Sequence, residues 1–300
     1  MAIPDRRKFF GLESSEGDDR NLDLASRMER CLRPEFEHRF GLPPEALAVA
    51  VEREITRSFA ASAFEDLATV GVDVAGKRLL DLGSGMGSVS VEAALRGASP
   101  IAVEPGRGLR EVACDRLRDV GRGLVMAADA ESLPLRDASI DVAVSLQVLE
   151  HVANPRAMLQ EVFRVLRPGG VFLLTCENYL SFREGHYRVA WLPLLPKPIG
   201  AAYLRLRGRS PEFLYNSVTY VTRPGVMRML RECGFRQTRK EQLDALAQDP
   251  SRIPTAWKRW LLTRVRRVVS PEAISSFALA LHETRRLCSG VICEMLRKPA

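Results

Sequence analysis

The stretch Leu79–Ser88, LLDLGSGMGS, decides how the rest of the chain is read. An apolar run ends at Asp81 and Leu82, and Gly83, Gly85 and Gly87 then alternate with Ser84 and Met86. The run predicts a buried strand over 78–82. The glycines predict a tight turn whose backbone something approaches closely. A helix over 87–96 should follow and stop at Gly97. Strand, glycine turn and helix together form a general nucleotide-handling device.

Working outward, the same alternation recurs. Further strands are predicted over 100–105, 123–130, 140–147 and 171–178. A helix over 45–70 precedes the first strand, and another is predicted over 107–119. Asn154 caps a further helix with Pro155 in its first turn, and Pro168-Gly169-Gly170 ends it. Alternating helices and continuously apolar strands imply an α/β fold with a parallel sheet covered on both faces. After residue 178 the rhythm breaks. Residues 179–222 are rich in aromatics and prolines, and WLPLLPKP (191–198) cannot form a regular helix, so it reads as a rigid wall over a pocket or as ordinary loop packing. A helix over 223–233, a sixth strand in FRQTRKEQL, an irregular, largely helical segment over 245–287 and a last strand over 290–299 complete the reading. The organisation expected is an arm (1–44), a core (45–178), a substrate lid (179–222), a core helix and strand (223–244), a basic helical insertion (245–287) and a terminal core strand (288–300).

Two ligands compete for the glycine turn. A dinucleotide fingerprint is GxGxxG, whereas here the pattern is GxGxG and residue 88 is Ser. A phosphate loop would need a Lys-Ser/Thr, which does not follow. Asp81 would oppose a pyrophosphate and attract a cation, which favours S-adenosylmethionine, a ligand with an ammonium, a sulfonium and no phosphate. Glu104 ends the second strand, where an acid can accept both ribose hydroxyls. Asp129 and Ala130 follow the third strand, placed to read an adenine edge. Gln147 leaves the fourth strand at the crevice where ligands sit in such sheets.

These residues, LLDLGSGMG, VEP, ADAESLPLRDASIDVAVSLQVLEHV and VLRPGG, make the chain resemble the class I S-adenosylmethionine-dependent methyltransferases, in particular the small-molecule branch that includes quinone-biosynthesis enzymes. The resemblance runs from about Lys77 to Asn178. It implies a Rossmann-like seven-stranded sheet with the last strand antiparallel. It also implies a cofactor site of Asp81, Gly83, Ser84, Gly85, Gly87, Glu104, Asp129, Ala130 and Gln147. Some such relatives hold a divalent cation in the turn after the fourth strand. Here Gln147 replaces the earlier acid, leaving Glu150 and His151, so no metal is expected and His151 reads first as a packing residue.

A sulfonium methyl is already activated, so proximity supplies much of the acceleration, and a base is needed only where the acceptor must lose a proton. The candidates are His186, in REGHYR of the lid, and His151, with Glu184 and Tyr187 nearby. The expected acceptor is a small molecule or a lipid- or glycan-linked intermediate.

Charge and cysteines narrow the rivals. Residues 251–300 hold ten Lys and Arg against three Asp and Glu, so the whole net charge of +7 lies in that tail. The segment 256–269, AWKRWLLTRVRRVV, predicts a basic helix with an apolar face of Trp257, Leu261, Leu262, Val265, Val268 and Val269. The first expectation is that this face packs on the domain; the alternative is peripheral contact with an anionic membrane. An RNA methyltransferase is the rival enzyme. Gln147-Val148-Leu149-Glu150 matches neither the tetrad of amino-directed DNA enzymes nor the Pro-Cys of RNA cytosine enzymes, which disfavours nucleic acid and leaves Cys176 a core thiol. A non-catalytic cofactor-binding protein is the remaining alternative. Six cysteines without a CxxC suit a reducing cytoplasm and argue against zinc. The N-terminus lacks a secretory signal pattern and no run is long enough to span a bilayer.

Overall fold

The computed structural model describes residues 23–253 and 255–299; the acidic stretch expected before residue 23 lies outside them. The described part of the expected arm is helical. Helix α1 (Leu24–Arg33) is capped by the Asp23 carboxylate, which accepts from Ser26 N, and it buries Met28. A π-type turn over Pro34–Arg39 follows. The single helix expected over 45–70 is instead two, α2 (Pro44–Thr56) and α3 (Ser58–Thr69). Arg57, at φ +54°, separates them. No glycine or proline marks that break, because a left-handed residue is held there by tertiary packing and not by local propensity.

The sheet then builds in the order expected, but the third strand is only three residues long instead of 123–130, and the helix after Asn154 ends at Val165, so that Pro168-Gly169-Gly170 lies inside the fifth strand. Strand β1 (Arg78–Leu82) leads to α4 (Ser88–Leu95), β2 (Ser99–Val103), α5 (Arg107–Val120), β3 (Leu124–Met126) and β4 (Ile140–Leu146). A short 3-10 turn over Leu149–His151 precedes α6 (Pro155–Val165) and β5 (Leu166–Glu177). Asn154 Oδ1 accepts from Ala157 N and Pro155 opens the helix, as the sequence predicts. Met158, Leu159, Val162 and Val165 of α6 are fully enclosed against the sheet. Each buried side chain of that size contributes about 1.5–3 kcal/mol, so packing outweighs the cap, worth about 1 kcal/mol, in holding α6.

Beyond β5 lies the insertion, with a small hairpin of β6 (Arg183–Glu184) and β7 (Val189–Ala190), then α7 (Lys197–Leu206) and α8 (Glu212–Asn216). Residues 191–196 are not helical, but the expectation for 191–198 fails at its end, where Lys197 and Pro198 form the first turn of α7. Trp191 of that stretch is core and packs on Gly200, while Leu192 and Leu194 are exposed. Helix α9 (Arg223–Glu232) returns to the sheet. The expected sixth strand is a correction: β8 (Arg236–Gln237) is only two residues long, and α10 (Thr238–Gln248) takes up the rest. The charged run TRKEQL lacks the continuous apolar character of a strand with two covered faces. Helices α11 (Ala256–Val265) and α12 (Pro271–Arg286) precede β9 (Val291–Arg297).

The seven-stranded sheet has the order β3-β2-β1-β4-β5-β9-β8, with β9 antiparallel to both neighbours. The first five strands are mutually parallel. Cores lie on both faces, one centred on α6 and α9 and the other on α3 and α4. Arg223, almost fully buried at the start of α9, ties that helix to Glu283 of α12 and Glu294 of β9. Among the described residues, no helix is long and apolar enough to cross a membrane.

Candidate active site

Parallel order brings the carboxyl ends of β3, β2, β1 and β4 to one edge of the sheet, and the predicted residues follow those four ends. Gly83, Gly85 and Gly87 all have positive φ, which only glycine adopts without strain. Their spaces differ. A Cβ at Gly83 would lie 2.4 Å from Val148 Cγ2, so β4's exit packs directly on the turn. A Cβ at Gly85 would meet nothing within 4 Å, so that turn faces open space.

Glu104 fastens the turn from the next strand. Its Oε2 accepts from Gly85 N at 2.9 Å and its Oε1 from Gly106 N at 2.7 Å. Asp81 is buried under the turn, and its Oδ2 accepts from Ser90 N at 3.0 Å and from Ser90 Oγ at 2.7 Å. Burial, with Glu104 and Glu54 nearby, pushes Asp81 up to about 7 in spite of those bonds. A cation at the turn would restore its charge. The sequence gives no hint of Arg116, which reaches from α5 to donate to Met86 O at 2.7 Å, Ser88 Oγ at 3.1 Å and Glu54 O at 2.9 Å. It locks the turn to α2.

Asp129 and Ala130 follow β3, Asp129 exposed and Ala130 half-buried. Gln147 leaves β4 at φ +58°. Gln147 Oε1 and Ser84 Oγ are buried without a hydrogen-bond partner among the described residues. Two orphaned polar oxygens beside an open glycine turn fit a ligand that donates N–H or O–H groups, as S-adenosylmethionine does.

A second constellation sits beyond β4 and β5. His186 Nδ1 lies 2.9 Å from Glu184 Oε1, and since a carboxylate only accepts, Nδ1–H is the donor. That leaves Nε2 to take and give up a proton. Glu184 is held by Tyr187 N on Oε2 at 2.7 Å and by the Tyr179 hydroxyl on Oε1 at 3.3 Å. His151 Nδ1 donates to Ser217 O at 2.8 Å, and its ring centroid lies 5.1 Å from that of His186. Phe40 and Phe213 pack on His186. Glu150 is fully buried; its Oε1 accepts from Glu177 N, while Oε2 has no partner among the described residues. Glu177 reaches this cluster because residue 185 is glycine: a Cβ there would lie 2.3 Å from Glu177 Oε1.

The charges are coupled. Burial opposes a charge on His186, but Glu184, Glu150 and Glu177 outweigh it and hold the imidazole up at about 9. Burial likewise works against Glu184, whose carboxyl is nonetheless held below its usual range by His186 and its hydrogen bonds. Burial, then Glu184 and Glu150, push Glu177 up to about 7. The carboxylate neighbours thus move His186 well above an ordinary imidazole. Ligand atoms of Glu150, His151 and His186 lie within 4.8 Å of one another, a grouping that could hold a cation. The sequence placed His151 and His186 in separate segments and carried no sign that they meet. Cys176 is buried in the core, as expected.

A family profile describing a methyltransferase domain matches residues 80–174. The chain is 31% identical over 199 residues to an uncharacterized methyltransferase of Mycolicibacterium gilvum, covering 66% of this chain and 73% of that one. It is 33% identical over 159 residues to an uncharacterized methyltransferase of Mycobacterium ulcerans (53% and 61%). It is 40% identical over 104 residues to the demethylmenaquinone methyltransferase of Clavibacter sepedonicus (35% and 42%). The chain thus spans less than two thirds of the length of the last two. A solved structure from Galdieria sulphuraria, named for sarcosine dimethylglycine methylation, superposes with a TM-score of 0.50 at 18% identity, covering 84% of this chain and 88% of that one. That likeness speaks for the fold.

Proposed function

Because the chain belongs to the class I S-adenosylmethionine-dependent methyltransferase family, we propose that it transfers a methyl group to a small-molecule or lipid- or glycan-linked acceptor. In this reading the glycine turn, Glu104, Asp129, Ala130 and Gln147 hold the cofactor, and residues 179–222 cover the acceptor. When bound, S-adenosylmethionine supplies a methyl group activated on a sulfonium. Everything else falls to the chain's own residues. Asp81 and Glu104 keep the turn open, Gln147 Oε1 and Ser84 Oγ accept from the ligand, and the aromatic wall of Phe40, Phe213 and Tyr187 excludes water from the acceptor.

One observation carries the catalytic part, the buried Glu184–His186 pair. Glu184 orients the imidazole so that Nε2 can take a proton from an acceptor hydroxyl or amine. In the ligand-free protein at neutral pH Nε2 is protonated, since its pKa is about 9. A positive charge brought beside it lowers that pKa and prepares the base. The protein is read as cytoplasmic, with a membrane-peripheral position for lipid-linked acceptors.

The experiment is labelled methyl transfer into host extract, followed by identification of the product, with His186→Ala alongside. Turnover should fall about 100-fold or more, the usual scale for a general base, while cofactor affinity stays level. An unchanged rate refutes the role of His186. Activity lost on chelation and restored by a divalent cation would assign the cluster to metal-assisted transfer instead.

A further inference from the structure

Helix α11 buries none of its residues, which corrects the expectation that its apolar face packs on the domain. A ten-residue helix is marginal in water, so such a face normally has a partner. Trp257, Trp260, Leu261 and Arg264 share one helical stripe. Trp257 and Trp260 are 63% and 57% exposed, and Val268, just beyond the helix, is 86% exposed. Leu262 and Val265 are only half-covered. Lys258 and Arg264 lie over the two indole rings, at 5.6 and 4.6 Å.

The charge is one-sided. No carboxylate occurs between Asp249 and Glu272, while Lys258, Arg259, Arg264, Arg266 and Arg267 do. None of these five makes an ion pair among the described residues. A solvated face would mix signs and carry few large apolar groups. A second copy of the chain would set like charges against each other. Indoles could stack on nucleic-acid bases, but Leu261 and Val268 have no use there. Aliphatic and indole groups beside unpaired arginines fit an interface that is apolar within and anionic at its rim.

We propose that α11 and residues 266–269 form a docking surface for an anionic lipid bilayer. Trp257, Trp260, Leu261 and Val268 enter the headgroup–acyl boundary, and the lysine and arginines lie on lipid phosphates. The proposal does not depend on the identity of the acceptor or on the role of His186.

Co-sedimentation with phosphatidylcholine vesicles, with and without phosphatidylglycerol, tests it at low and high salt. Binding should require phosphatidylglycerol and weaken with salt. Each cation contributes about fivefold, so Arg264→Gln with Arg266→Gln and Arg267→Gln should lower partitioning roughly a hundredfold. Trp257→Ala with Trp260→Ala should also release the protein. Trp191 is buried, so a blue shift of tryptophan emission on binding reports Trp257 and Trp260. Calorimetric S-adenosylmethionine affinity, unchanged in both variants, separates this outcome from failure of the methyl-transfer reading. Absence of binding to anionic vesicles at low salt overturns the proposal, as does equal binding to neutral ones. Salt-sensitive retention on an RNA oligonucleotide without vesicle binding would assign the surface to nucleic acid.

Discussion

Gly83→Ala and Gly85→Ala lie two residues apart in one turn and should fail in opposite ways. Both glycines have positive φ, 69° and 54°, so each alanine carries the left-handed penalty of about 1–2 kcal/mol. At Gly83 the new methyl also meets Val148, with Cγ2 at 2.4 Å, Cγ1 at 2.9 Å and Cβ at 3.2 Å. A rotamer change does not clear Cβ, so overpacking adds about 1–3 kcal/mol. The total is about 2–5 kcal/mol. Unfolding entropy of about 2.1 cal/mol/K per residue makes 1 kcal/mol equal to about 1.6 °C for this chain. Gly83→Ala should therefore lower Tm by about 3–8 °C and Gly85→Ala by about 2–3 °C. Cofactor affinity should run the other way. No described residue lies within 4 Å of a Cβ at Gly85, so its methyl should intrude on the ligand and weaken binding about tenfold or more, the scale of an overpacked contact. Differential scanning calorimetry and titration calorimetry on the two variants measure both quantities. If Gly85→Ala binds S-adenosylmethionine like the parent, the open space there is not the cofactor's, and the assignment of the turn falls.

Stability should decline as pH rises from about 5 to 9. Asp81 and Glu177, raised to about 7 in the folded chain, contribute below their unfolded values, and that contribution is lost as pH passes about 7. His186, raised to about 9, contributes fully below about 6.5 and loses it toward 9. A Tm that climbs across this window contradicts the buried charge arrangement. Arg116→Met removes donors to Met86 O and Glu54 O and leaves those carbonyls dry; chemical denaturation should show a loss of about 2–4 kcal/mol. Glu184→Gln should move the pH–rate profile toward lower pH, because His186 loses its nearest anion; an unmoved profile would free His186 from Glu184.

The parts of the fold that were legible are those specified locally. Leu79–Leu82, Ile101–Val103 and Val171–Cys176 are apolar except for Asp81 and Thr175, and glycines lie close to them in sequence. Asn154 and Pro155 mark a helix start through bonds that span a single turn. What escaped depends on distant partners. The break at Arg57 has no local cause, and β8 exists only because two residues find Leu296 and Arg297. The residues proposed for the cofactor could be placed at one edge of the sheet because they lie at strand ends. The proton-handling side was not, for His186, Glu184, Glu177 and Glu150 come from three segments, and Gly185 shows its purpose only once Glu177 lies over it.

The position of β9 has a consequence for synthesis. It pairs with β5 along seven residues, from Val171–Arg297 to Glu177–Val291, and β8 can join the sheet only through it. A ribosome therefore releases β1 to β5 with the flank of β5 bare, and that flank waits for just over a hundred further residues. Long-range pairing of this kind is slow and leaves an unpaired edge exposed meanwhile. A chain stalled before Val291 would offer that edge to other nascent strands, so β9 acts as the closing latch of the whole sheet.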